Sequence, residues 1–204
     1  MAAVVIDYGM GNVASVRNAV YSLGYEVAVS RQKKDIKSAS HIILPGVGAF
    51  GQGMRNLADF GLVDILTEEV LGRKKPFLGI CLGMQLLAQT GQEGGEHKGL
   101  GWLRGYVRKF EVDESKIKIP HVGWNDVVIK NPSPLFQNIK KPIFYFVHSY
   151  HFVPEDNSII SGQTEYGEIF VAAIEKENIF GLQFHPEKSQ KKGLCLLENF
   201  LQIQ

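Results

Sequence analysis

The run Gly79-Ile80-Cys81-Leu82-Gly83 narrows the possible folds of this chain more than any other feature. Lys75-Pro76 introduces an apolar segment, residues 77–80, that reads as a buried strand, and a helical pattern begins near Leu82. A strand that passes into a helix within one sharp turn is a βα junction, the unit of parallel sheets covered by helices. Glycines two before and two after Cys81 permit the turn, because a Cβ at either place would crowd the backbone.

The rest of the first half repeats the same grammar. Residues 3–6 form strand one, and Val13, Val16, Val20 and Leu23 recur at helical steps before Gly24, a stop signal. Residues 25–29 give strand two. A polar stretch, 31–40, leads to a third strand, 42–44, ended by Pro45 and followed by Gly46-Val47-Gly48-Ala49-Phe50-Gly51. A helical region covers about residues 54–71. After a loop with Gly91, Gly94, Gly95, Gly99 and Gly101, strand-like alternation predominates: 107–112, 117–129, 143–153, 169–174 and 179–185, with Lys176-Glu177-Asn178 as a hairpin turn. A terminal helix closes the chain. With 204 residues, 45% of them hydrophobic, there is material for one sizeable core. The expectation is a single α/β domain over residues 1–204 with a β-rich second half.

Lysine plus arginine (22) nearly match aspartate plus glutamate (21), so no global field gathers nucleic acid or anionic membrane. No apolar stretch approaches the roughly 20 residues of a membrane-spanning helix. The N-terminus has no basic region before its apolar run and meets Asp7 early, unlike a secretory leader. Two cysteines, Cys81 and Cys195, are too few for a disulfide scaffold. These features predict a cytoplasmic protein whose partners are small molecules or another protein.

Cys81 sits in a G-x-C-x-G elbow, the thiol counterpart of the G-x-S-x-G turn. The following helix N-terminus favours thiolate, the reactive form. The competing reading is a small buried hydrophobe, which is the reading that fits Cys195 among leucines. A nucleophilic thiol needs a base, and the base needs an orienting group. His185-Pro186-Glu187 supplies both if the segment is extended, since residues two apart then share a side; alone, the tripeptide is also a plausible polar strand exit. Backbone N–H groups of Leu82, Val47 and Gly48 are candidates to receive negative charge on a substrate oxygen. His148 and His151, three apart on a strand, face opposite sides and do not make a metal pair; His148 stays available as an alternative base.

Taken in order, Pro45-Gly46-Val47-Gly48, the Cys81 elbow and Gln183-Phe184-His185-Pro186-Glu187-Lys188-Ser189 resemble the class I glutamine amidotransferases. Asp7-Tyr8-Gly9-Met10-Gly11-Asn12, Pro120-His121-Val122-Gly123-Trp124-Asn125 and Tyr145-Phe146-Val147-His148-Ser149-Tyr150 are similar, within that class, to glutaminase subunits of imidazole glycerol phosphate synthases. The resemblance spans essentially the whole chain and implies a flavodoxin-like three-layer α/β fold around a parallel-rich central sheet. It implies that Cys81 attacks the glutamine side-chain amide, that His185 serves as base and acid, and that Glu187 orients His185. Gln85, Ser149 and Tyr150 would hold the glutamine and Glu93 its α-amino group, with no cofactor and no metal. Ammonia would pass to a (βα)8-barrel cyclase that makes imidazole glycerol phosphate and AICAR in histidine biosynthesis, docking at Trp124, Tyr145 and Lys188.

Two alternatives stay beside this reading. Trp102 in Gly99-Leu100-Gly101-Trp102 stands where the family more often has a smaller aliphatic, which leaves room for a paralogue feeding a modified-sugar (surface polysaccharide) synthase. Gly9-Met10-Gly11-Asn12-Val13-Ala14 fits the G-x-G-x-x-A of dinucleotide-binding modules. NAD would require an acidic residue about 20 positions on, where Ser30-Arg31-Gln32-Lys33-Lys34 stand, so the form kept open is an NADP-binding Rossmann module.

Overall fold

A computed structural model describes residues 2–204; Met1, at the head of the apolar amino-terminal run, lies outside them. The first half runs β1 (Ala3–Ile6), α1 (Val13–Ser22), β2 (Val27–Ser30), α2 (Lys33–Ser38), β3 (His41–Gly46), α3 (Phe50–Asp59), α4 (Leu62–Thr67), β4 (Phe77–Cys81) and the one-turn helix α5 (Leu82–Gln85). The second half adds β5 (Thr90–Gly91), β6 (His97–Lys98), β7 (Gly105–Lys109), β8 (His121–Asp126), β9 (Val128–Ile129), β10 (Ile143–His148) and β11 (Tyr150–Pro154). It closes with β12 (Ile160–Glu165), β13 (Ile169–Lys176), β14 (Ile179–Leu182) and α6 (Gln190–Leu201).

Eight strands form the central sheet in the order β2-β1-β3-β4-β14-β13-β12-β9. The first five are parallel and the last three antiparallel. The parallel part has the flavodoxin-like order, which places ligands beyond the carboxyl ends of the strands. Every residue of β1, β3 and β4 is buried, because helices cover both faces and such strands must be apolar throughout. Val5, Ile43 and Leu78 pack with Val16 and Val20 of α1 and Leu197 and Phe200 of α6. Ile6, Ile42 and Leu44 pack on the other side with Leu57 of α3 and Leu62 and Leu66 of α4. Asn12 caps α1 by accepting the Ser15 N–H at 3.1 Å, and Gly24 takes the positive φ (85°) that ends it.

Several boundaries differ from the sequence expectations. The helical region begins at Phe50, breaks at Gly61 (φ 63°) and ends in a wide turn, Glu68–Gly72. Residues 143–153 divide at Ser149, because β10 pairs with β8 in a two-stranded ribbon while β11 pairs with β7 in a separate four-stranded sheet. The strand expected over 117–129 is paired only from His121, after a cis Ile119–Pro120 bond. Strand pairing also stops at Leu182 rather than His185.

Candidate active site

Three neighbouring parallel strands end at one place: β3 at Gly46, β4 at Cys81, and β14 just before Gln183. Gly46 and Cys81 are direct register partners. Cys81 has φ 54° and ψ −109°, a conformation that costs a non-glycine residue about 1–3 kcal/mol and persists only where surrounding structure enforces it. The flanking glycines are part of that enforcement. A Cβ on Gly79 would lie 2.6 Å from the Gly83 carbonyl oxygen, and one on Gly83 would overlap the Leu44 carbonyl oxygen of β3. Gly83→Ala is therefore expected to destabilise the fold by about 1–3 kcal/mol or more, since the obstacle is backbone. An unchanged urea midpoint would show that the elbow is free to shift.

His185 and Glu187 are side by side, Nδ1 to Oε1 at 2.8 Å, and both side chains are 2% exposed. Strand alternation does not produce this contact. His185 lies beyond the paired part of β14, and Pro186–Lys188 makes a tight 3₁₀ turn that swings the carboxylate back onto the ring. The base is held by backbone as well: its N–H donates to the Tyr145 carbonyl at 2.9 Å. Its own carbonyl accepts from Ser189 Oγ at 2.6 Å, and Ser189 Oγ accepts the Tyr145 N–H at 3.0 Å. Burial pushes His185 down, but the neighbouring Cys81 sulfur and the Glu187 hydrogen bond, with their charge, outweigh it and raise the imidazole to about 9. Nε2 is buried without a well-formed hydrogen bond, leaving the Cys81 thiol as the group that interacts with the ring besides Glu187.

Cys81, the amide candidates Val47, Gly48 and Leu82, and the ligand candidates Gln85, Glu93, Ser149 and Tyr150 all line one cavity of about 340 Å³. His185 and Glu187 are outside its wall. Gly48 has φ 111°, which a side chain would resist. Glu93 Oε2 accepts the Phe50 N–H at 2.8 Å, serving the start of α3, whose cap residue Ala49 supplies no side-chain bond. Gln85 Nε2 donates to the Tyr150 carbonyl at 2.8 Å and to Gln183 Oε1 at 3.0 Å. Gln183, given no role from sequence, is wholly buried and donates to Cys81 Sγ at 3.6 Å. Trp124, Tyr145 and Lys188 gather elsewhere, on the outer face of the β8–β10 ribbon. Trp124 is 48% exposed and meets Tyr145 edge to face at 6.1 Å, and Lys188 Nζ stands 5.8 Å from the Tyr145 ring.

The family model for class-I glutamine amidotransferases matches residues 4–203 of this chain, carrying the elbow, the glycine turn and the His-Glu pair together. The chain belongs to that family. Among curated proteins it is 50% identical over 202 residues to the imidazole glycerol phosphate synthase subunit HisH of Aquifex aeolicus, covering 98% of this chain and 96% of that one. It is 45% identical over 208 residues, all of both chains, to the HisH subunit of Pelagibacter ubique. Two solved structures share the glutamine amidotransferase fold. One is PurLQS from Thermotoga maritima, with TM-score 0.74, 23% identity and 98% and 97% of the two chains covered. The other is described as a glutamine amidotransferase, with TM-score 0.75, 18% identity and 97% and 96% covered.

In this amidotransferase chain the glycines that suggested a dinucleotide site have a structural use. A Cβ on Gly11 would come within 2.9 Å of Gly46 Cα, so this turn backs onto the Gly46 to Gly48 turn and is spent on packing. Trp102 is 8% exposed and stacks edge to face on Phe77 at 5.2 Å, so the departure at that position is absorbed by the core beneath β4 and does not reach the cavity. His148 and His151 do not point apart as strand alternation predicts, because the chain breaks strand at Ser149; both rings pack on Phe110, at 5.1 and 5.0 Å. Burial holds His121 and His151 down to about 4 and His148 well below its ordinary value. His148 also lines the Cys81 cavity, with its Nδ1 2.8 Å from the Tyr150 carbonyl oxygen.

Proposed function

We propose that the chain hydrolyses glutamine as the glutaminase subunit of an imidazole glycerol phosphate synthase and delivers the ammonia to a (βα)8-barrel cyclase partner. The observation that carries this reading is the strained Cys81, served by a His185–Glu187 pair at 2.8 Å, opening on a cavity lined by every candidate ligand residue. Near-complete coverage by HisH relatives supports the pathway assignment, and a cytoplasmic location goes with it.

In the proposed cycle the Cys81 sulfur attacks the side-chain amide carbon of glutamine, and the oxygen takes the electron pair. N–H groups of Leu82 and of the Val47–Gly48 turn receive that charge. His185, protonated at rest and steadied by Glu187, gives its proton to the departing nitrogen, which leaves as ammonia while a glutamyl thioester remains. Neutral His185 then takes a proton from water, the hydroxide attacks the thioester, and the thiolate and imidazolium return with glutamate as product. Gln85, Ser149 and Tyr150 hold the substrate and Glu93 faces its ammonium group.

Ammonia released into water at neutral pH is mostly protonated and no longer nucleophilic, so direct delivery is advantageous. The exposed Trp124, with Tyr145 and Lys188, is the proposed docking face. Trp124→Ala is expected to weaken the complex by about 2 kcal/mol or more, near 30-fold in Kd, as a central aromatic anchor would; equal titration curves would remove Trp124 from the interface.

The reading is tested with [amide-¹⁵N]glutamine and the barrel cyclase. The isolated chain should release little glutamate, the complex should release it rapidly, and the label should enter the cyclase product without equilibrating with added unlabelled ammonium. Label lost to the pool, or glutaminase activity indifferent to the partner, would overturn the delivery. Stimulation by a sugar-modifying synthase in place of the cyclase would reassign the pathway.

A further inference from the structure

Gln183 is a wholly buried polar side chain at the elbow, and none of the roles above uses it. Its amide lies between two others. Nε2 donates to Cys81 Sγ at 3.6 Å, and Oε1 accepts from Gln85 Nε2 at 3.0 Å. The same Gln85 Nε2 donates to the Tyr150 carbonyl at 2.8 Å. A backbone carbonyl can only accept, so it decides which end of the Gln85 amide carries hydrogen. The second N–H of that group then requires an oxygen opposite it, which fixes Gln183 Oε1 there and turns the Gln183 NH₂ to the sulfur. One peptide bond of the cavity wall thereby sets the orientation of the whole relay.

We propose that Gln183 is a positioning residue for the nucleophile: its N–H holds the Cys81 sulfur in place and favours its electron-rich form, while Gln85 locks that N–H toward the sulfur. The proposal deepens the glutamine-hydrolysing reading and rests on it for its consequence, although its test needs no glutamine. A donor at sulfur binds an anion more strongly than a neutral thiol, because hydrogen bonds to charged groups are roughly twice as strong as neutral ones. It therefore assists attack without touching the substrate. The strand exit agrees with this: donor and base come from residues 183 and 185 of one short segment, and the 3₁₀ turn that follows returns the orienter to the ring.

The experiment follows alkylation of Cys81 in the full chain by iodoacetamide across pH, read by mass spectrometry of the Cys81 peptide, with Cys195 on α6 as an internal reference. Gln183→Met keeps length and bulk but removes the donor. It is expected to slow Cys81 alkylation at neutral pH about tenfold and to move its pH profile to higher pH, with Cys195 unchanged. Gln183→Glu, an acceptor facing sulfur, should slow it further. In the partner complex kcat should fall for Gln183→Met while KM for glutamine stays within about twofold, a split that general loss of structure would not give. A Gln183→Met chain with the wild-type alkylation profile overturns the proposal. Should that variant misfold, seen as faster Cys195 alkylation, Gln85→Met releases the lock from outside and should slow Cys81 in the same direction; an unchanged profile there is equally fatal. Alkylation that responds to Gln183 in a chain unable to hydrolyse glutamine would refute the proposed function and leave this inference standing.

Discussion

Replacing Cys81 by alanine is expected to abolish glutamine-dependent turnover, by about 10⁴-fold or more, while the partner complex still works when ammonium is supplied directly. The size follows from the role: without the sulfur no thioester forms, and the base and amide groups have nothing to act upon, so the unit fails as a whole. The same variant should fold like the parent, because alanine at φ 54° carries a strain comparable to that of cysteine and the flanking glycines are untouched. Stable-isotope glutamine and a pulse of ammonium chloride separate the two activities in one assay. Undiminished glutamine use by the variant complex would sink the mechanism at its first step.

The second large effect is expected at Glu187. Glu187→Gln keeps a group of the same shape against His185 Nδ1 but removes the negative charge. The imidazole loses one of the influences that raise it to about 9, and proton donation to the leaving nitrogen suffers. A fall in kcat of about 10³-fold is expected, by analogy with loss of an orienting carboxylate in other nucleophile–histidine–acid sites. Stability carries a second signature. His185 titrates higher in the folded chain than its ordinary 6.5, so its stabilising contribution is complete below about 6.5 and is lost as pH rises through about 9. The contribution is at most about 3 kcal/mol, at 1.36 kcal/mol per unit. The urea midpoint of the parent should therefore decline between these values, and that of Glu187→Gln should decline less. Parallel curves for the two proteins would show that Glu187 does not charge-couple to His185 in the folded state.

The parallel half of the sheet was readable because its strands are buried on both faces, and continuous apolar runs such as Ile42-Ile43-Leu44 declare themselves. The elbow was readable because glycine, cysteine and glycine at fixed spacing meet one steric demand, now visible as the contacts around Gly79 and Gly83. Where residues serve two surroundings, the signal blurs. β12, Ile160–Glu165, gives no strand signal because its buried residues include Ser161, Gly162 and Thr164, which carry no apolar alternation. Helix α2 buries only Ile36, too little for a period. The run 143–153 looked like one strand because nothing at Ser149 announces that β10 and β11 go to different sheets. Gln183 stands two before His185, the spacing that marks Glu187 on the other side, yet a lone glutamine carries no chemistry of its own to announce a role. A glutamine between Leu182 and Phe184 in a buried run was itself a cue that something nearby needs its amide.

The backbone of Cys81 has one more consequence, for how such a chain ages under mutation. At φ 54° and ψ −109° the residue that fits without strain is glycine, so the thiol is retained against a local energy slope of about 1–3 kcal/mol. Packing of the buried sulfur and the Gln183 N–H offset part of that slope, and turnover supplies the rest. In a duplicated copy relieved of hydrolysis, Cys81→Gly would be among the substitutions that drift could fix. The survival of cysteine at this position in a descendant is thus a record of continued use, independent of how well the rest of the sequence has been kept.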